Sequence, residues 1–130
     1  MSLSTMKTVT LVFGLFYFAI GVLGFIPGIT VSTTVPGQGL LLGIFAVNAI
    51  HNILHLVAGA ILVYGGTAGN VVAVNRLMAV IFALLSVASL IAPVVEGVSI
   101  NPPDTILHVV STLLTGYCGF VAGPSAKRIA

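Results

Sequence analysis

Charge is what this sequence most lacks. Only 5% of its 130 residues are charged, two acidic and four basic, against roughly 25% in soluble domains. A water-facing surface built from so few charges would leave apolar area far beyond the few hundred Å² that a soluble monomer tolerates. Acyl chains are therefore the expected solvent. Segments of about ten residues that alternate apolar and polar are also missing, which excludes a transmembrane β-barrel. The four cations, Lys7, Arg76, Lys127 and Arg128, form no patch, so nucleic acid is excluded as a partner. Cys118 is the sole cysteine and cannot form an intramolecular disulfide. Tryptophan is absent, leaving Tyr64 and Tyr117 as interface anchors. The apolar run after Lys7 is long and no small-residue cleavage site follows it, so it reads as a mature span and not a signal peptide.

What is present is 58% hydrophobic sequence, arranged in four runs. A helix crossing the ~30 Å hydrocarbon core needs about 20 apolar residues. The runs Thr8 to Ile26, Leu40 to Tyr64, Val71 to Pro93 and Pro103 to Ala122 meet that length. The expected fold is an all-α, four-transmembrane-helix bundle forming one membrane domain over residues 1–130. Pro27-Gly28, Pro36-Gly37, Gly65-Gly66, Gly69-Asn70 and Pro102-Pro103 mark its corners. With an even number of spans, all four cations fall on one side, which the positive-inside rule assigns to the cytoplasm together with both termini. The opposite side carries the uncharged loop from Pro27 to Gly39 and the turn containing Glu96.

Polar residues inside the runs are periodic. Asn48, His51, Asn52, His55 and Gly59 share one face of span two; Asp104, His108, Ser111, Thr112, Thr115 and Gly119 share one face of span four. An unpartnered polar group in hydrocarbon costs several kcal/mol, so the two stripes are expected to meet. Gly14, Gly21, Gly24 and Gly28 in span one, and Asn75, Ala79, Ser86 and Ser89 in span three, offer small residues for close helix approach. Phe13, Phe16, Phe18 and Phe25 are expected to face lipid or a partner. Ile53-Leu54-His55-Leu56-Val57 also reads like Ile106-Leu107-His108-Val109-Val110, which suggests two parallel helical hairpins related by an axis along the membrane normal.

Two assignments suit the histidines. The first, preferred on sequence, is structural: Asn48, His51, Asn52, His55 and Asp104 hydrogen-bond one another across helices, with no metal and no catalytic residue. The second makes His51, His55 and His108 a metal or tetrapyrrole site, because imidazole is the commonest metal ligand and residues four apart share a helix face. His51-Asn52-Ile53-Leu54-His55 lacks the glutamate of a zinc-hydrolase helix, so a zincin is excluded. Asp104 is either a first-turn charge at a helix N-terminus or an acceptor that orients His108. A haem or chlorophyll on both His55 and His108 would need them at one depth, and hence an irregular start to span two, nearer Phe45.

The motifs Gly24-Phe25-Ile26-Pro27-Gly28, Leu42-Gly43-Ile44-Phe45 and Asn48-x-x-His51-Asn52-x-x-His55-Leu56 resemble an uncharacterised bacterial family of small four-span membrane proteins, a domain of unknown function; Pro103-Asp104 to Leu107-His108 fits its start of the fourth span. The resemblance covers nearly the whole chain and implies the four-span architecture and a bacterial inner or internal membrane. It implies no activity. The expected function is a non-enzymatic accessory subunit packing against a larger membrane protein or a copy of itself. The alternatives are a haem or chlorophyll carrier and an oligomeric transporter or channel.

Overall fold

The computed structural model describes residues 1–91, 94–95 and 97–127, so the expectations placed on Glu96, on Arg128 and on Pro93 as the end of span three lie outside the described residues. Among the described residues, four helices are long and apolar enough to cross a membrane. They are α1 (Leu3–Leu23), α2 (Ala49–Thr67), α3 (Val71–Ile91) and the continuous segment Pro102–Ser125, which opens with α4 (Pro102–Gly116). α4 continues through a π-helical stretch, Tyr117–Ala122, into a last short helix, α5 (Gly123–Lys127). Strands β1 (Thr30–Ser32), β2 (Gly39–Leu41) and β3 (Phe45–Val47) form an antiparallel sheet between α1 and α2, and β4 (Val94–Val95) pairs with β5 (Val98–Ser99) between α3 and α4.

Side chains define where the helices begin. Ser2 caps α1, its hydroxyl accepting from Thr5 N–H. Asn48 caps α2 through His51 N–H. Asn101 and Asp104 form a reciprocal capping box at α4, where Pro102 and Pro103 occupy first-turn positions whose missing N–H groups have no intrahelical use. The expected span from Leu40 is corrected here: α2 begins at Ala49. Leu42 and Gly43 both have positive φ, 54° and 71°, which a right-handed helix cannot contain, and the residues around them pair as β2 and β3.

The two halves repeat residue for residue, with one spacing between α2 and α4 and a longer one between α1 and α3. Asn48 answers to Asn101, His51 to Asp104 and His55 to His108, and the first of each pair is an N-cap. The caps also cross over: Asn48 Nδ2 donates to the Gly97 carbonyl (2.6 Å), and Asn101 Nδ2 donates to the Ile44 carbonyl (2.7 Å). Gly97 and Ile44 are themselves mates in the same register. In α1 and α3 the buried residues Met6, Thr10, Gly14, Tyr17 and Gly21 correspond to Val71, Asn75, Ala79, Phe82 and Ser86. Mates meet on the axis, where Asn75 Nδ2 donates to Thr10 Oγ1 (2.8 Å) and the Tyr17 and Phe82 rings lie 5.0 Å apart. This is a parallel repeat of two hairpins, α1–α2 and α3–α4, about an axis running along the bundle.

Each hairpin is held by backbone approach. A Cβ on Gly14 would stand 2.6 Å from Val63 N, and one on Gly66 2.6 Å from Leu11 N; the mate of the second pair is Gly119 of the π-helical stretch, where the distance to Arg76 N of α3 is 2.7 Å. Gly28 departs from expectation: it lies beyond α1 in a turn with φ +91° and open space around it. Phe16, Phe18 and Phe25 are exposed, whereas Phe13 packs edge-on to Tyr17 and against Phe82. Leu84, Leu90, Ile106 and Leu113 point outward as an apolar belt. The widened π-helical turn leaves the Gly119 carbonyl free to accept from Arg76 Nε (2.8 Å).

One asymmetry joins the halves. Ser111 Oγ donates to the Leu107 carbonyl, so Tyr17 OH donates to Ser111 Oγ at 2.7 Å and ties α1 to α4. The mates of this pair, Phe82 and Ala58, have no polar atoms to do the same between α3 and α2. Tyr17→Phe is expected to destabilise the bundle by about 0.6–1.7 kcal/mol, the span measured for interhelical hydrogen bonds in membranes. Steric-trap unfolding in bicelles would measure it.

Candidate functional site

The N-cap at Asn48 places His51 in the first turn of α2 and His55 one turn deeper. The cap at Asn101 does the same for Asp104 and His108 in α4, so His55 and His108 each stand seventh in their helices and share one depth. An irregular segment before α2, here β2 and β3, is what brings them level. The His51 and His55 rings lie 4.4 Å apart and those of His51 and His108 6.3 Å apart. One ring nitrogen from each of His51, His55 and His108 falls within 4.8 Å of the other two, and all three residues are buried.

His51 is oriented by backbone. Its Nδ1 lies 2.7 Å from the Ser99 carbonyl and 3.0 Å from the Ala46 carbonyl. Carbonyls only accept, so Nδ1 carries the proton and Nε2 keeps the lone pair. That arrangement sets the tautomer and direction of a metal-ligating imidazole. Ala46 and Ser99 are mates in the repeat, which puts His51 close to the axis between the hairpins. His55 is seated edge-on to the Tyr17 ring at 5.4 Å, and His108 stacks on Phe82 at 6.1 Å.

The hydrogen bonds of this region do not form the interhelical network expected from the sequence. Both nitrogens of His55, Nδ1 of His108, Oδ1 of Asp104 and Oδ1 of Asn52 are buried without a hydrogen-bond partner. Asn48 turns away to cap α2 and to bond Gly97 O and Ser99 Oγ. Asn52 packs against Gly24. Asp104 directs Oδ2 to Asn101 N–H, so it acts as a helix cap and not as an acceptor for His108. The hydroxyls of Thr112 and Thr115 bond the carbonyls one turn back on their own helix. The two polar stripes therefore meet only at the histidines, by ring contact, with nitrogens left over.

The three histidines line a cavity of about 220 Å³ that reaches from them and Tyr17 along α2 and α3. Its remaining walls are apolar. Sequence reasoning found the three histidines because imidazoles in a membrane span stand out. It missed Tyr17 and Phe82, which seat the rings, and the Ala46 and Ser99 carbonyls. Tyr17 was legible in principle: a tyrosine in the middle of a span has a hydroxyl that needs a partner.

A helical membrane protein of two fused, parallel hairpins, with a three-histidine cluster where they meet, is the class these features define. Residues 7–121 match the profile of the domain of unknown function DUF4383, and the chain belongs to that family. Comparison with curated proteins and with solved structures returned no match.

Proposed function

We propose that this protein is a membrane carrier of one transition-metal ion, held by His51, His55 and His108. The observations that support it most are the convergence of one ring nitrogen from each of three buried histidines and the lack of hydrogen-bond partners at both nitrogens of His55 and at Nδ1 of His108. An unsatisfied polar group in such a setting costs about 1–3 kcal/mol, and a bound ion removes that cost at the ring nitrogen it takes. Imidazole suits Zn, Cu, Fe and Ni. Bonds of about 2.0–2.1 Å require the three donors to close up around the ion from their present spacing, a movement of side chains only. This reading prefers the cofactor-carrier alternative in a specific form. The cavity of about 220 Å³ falls below the ~300 Å³ at which small-molecule sites begin, so it suits an ion with a small co-ligand better than a haem or chlorophyll.

On the expected topology the ion lies near the non-cytoplasmic face. The carrier is non-enzymatic in itself and works as an accessory subunit to a larger membrane protein or a second copy. The test is elemental analysis of full-length protein purified from native membranes, with X-ray absorption at the edge of the metal found. One ion per chain with imidazole scattering supports the proposal. Protein that holds no stoichiometric metal as isolated, and takes up none of Zn, Cu, Fe or Ni on reconstitution, overturns it.

A further inference from the structure

We propose that the coordination of this ion is completed by the carboxylate of a single-chain lipid, which reaches it from the bilayer through the cleft between α2 and α3. The inference rests on the metal reading above and adds the source and chemistry of the co-ligand.

Three imidazoles leave a tetrahedral ion one open position, and they bring no negative charge to it. A cation in an apolar cavity is costly unless an anion accompanies it. Among the described residues no carboxylate lines the cavity. Asp104 is close in sequence to His108, but one of its oxygens closes the capping box and the residue is not part of the cavity wall. The anion must come from outside the chain.

The geometry of the cavity selects the route. At the sheet end the cavity is walled by Ile100, which is buried, and Val98, which is half-buried, while the Ala46 and Ser99 carbonyls hold the His51 ring and Asn48 bridges to Gly97. On the side, the cavity runs out between Leu54, Val57 and Ala58 of α2 and Ile81 and Leu85 of α3. Leu54 is 44% and Val57 50% exposed. α2 has 19 residues, about 28 Å of helix, so this mouth opens about two to three turns into the span, where the surroundings are acyl chains.

The repeat explains why only this side is open. Between α1 and α4 the equivalent residues are Tyr17 and Ser111, joined by their hydrogen bond. Between α3 and α2 they are Phe82 and Ala58, a pair with nothing to join and a small residue at the rim. An apolar mouth leading to a cation is the shape that accepts a carboxylate head while its chain trails into the bilayer. The cavity is too small to enclose a whole lipid.

The experiment uses the full-length protein, loaded with Co²⁺ in nanodiscs of phosphatidylcholine, and follows the visible ligand-field bands. Oleate added to the nanodiscs is expected to shift and sharpen the bands. Acetate at the same concentration in the buffer, and oleyl alcohol in the bilayer, are expected to leave them unchanged. Val57→Trp and Ala58→Leu, which narrow the mouth, should retain one Co²⁺ per chain and lose at least tenfold in oleate affinity. Acetate acting as well as oleate would overturn the lipid route, and oleyl alcohol acting as well as oleate would overturn the carboxylate. No response to any of the three, with Co²⁺ bound one per chain, would overturn the proposal while leaving the metal reading intact. A chain that binds no Co²⁺, Zn²⁺ or Cu ion at all refutes the metal reading itself.

Discussion

Replacing His55 by leucine is expected to leave the metal-free protein as stable as the parent or to stabilise it by about 1–3 kcal/mol, while removing its response to metal. Both nitrogens of His55 are buried and unpartnered, and each such group carries a desolvation cost of about 1–3 kcal/mol that an apolar side chain of similar size avoids. Leucine fills much of the same volume beside Tyr17, so no large cavity offsets the gain. With metal present the sign reverses. A ligand that binds only the folded state adds RT ln(1 + [L]/Kd), about 4 kcal/mol at a thousandfold excess over Kd, and the variant forgoes it because two imidazoles remain where three are needed. Chemical or steric-trap unfolding of both proteins, with chelator and with Zn²⁺, separates the cases. If His55 were a member of a structural hydrogen-bond network, leucine would destabilise the metal-free protein by about 0.6–1.7 kcal/mol and metal would change nothing. His108→Leu is expected to behave in the same way, with a smaller gain in the metal-free state, because only Nδ1 of that ring is among the buried unpartnered atoms.

Much of this architecture is readable from the sequence because lipid imposes simple rules. Four apolar runs with no more than one charge each can only be spans, and α1 and α3 lie close to where those runs suggest. The start of α2 was not readable from hydropathy, since Leu40 to Val47 is as apolar as the helix that follows. Its strands have three residues each, too few for alternation to show. Asn48 carried the missing signal. Aligned with Asn101 through the repeat, it marks a helix cap, and both histidines then fall at one depth.

The site was legible in part for the same physical reason. His51, His55 and His108 stand out because imidazoles are expensive in hydrocarbon, but residue spacing says nothing about what each nitrogen faces. The carbonyls of Ala46 and Ser99 that fix His51 are backbone atoms without a sequence signature. The orphaned nitrogens of His55 depend on Asn48 and Asp104 being drawn off as caps, and only the folded chain reveals that competition.

Gly59→Ala is expected to be among the most damaging single methyl additions in the protein. A Cβ at Gly59 would lie 2.5 Å from Phe18 N, 2.8 Å from Phe18 Cα and 2.8 Å from Phe18 Cβ. Two of these three are backbone atoms of α1, so no rotamer change relieves the contact and the helices must separate. Overpacking of this kind costs about 1–3 kcal/mol, and the upper end applies because the parting also loosens Gly14 against Val63 and Gly66 against Leu11 along the same seam. Gly116→Ala supplies the control within the same bundle. Its added Cβ would meet only the Ala79 methyl, at 3.9 Å, an ordinary contact, and alanine is favoured over glycine inside a helix by roughly 0.5–1 kcal/mol. Unfolding measurements should therefore give changes of opposite sign for the same chemical addition. Because Phe18 adjoins Tyr17 and Gly59 lies one turn from His55, the Gly59 variant should also weaken metal binding, whereas the Gly116 variant should not. Equal stability of the two variants would mean that the α1–α2 seam is not held by backbone approach, and that the hairpin has to be explained by its lipid-facing side chains instead.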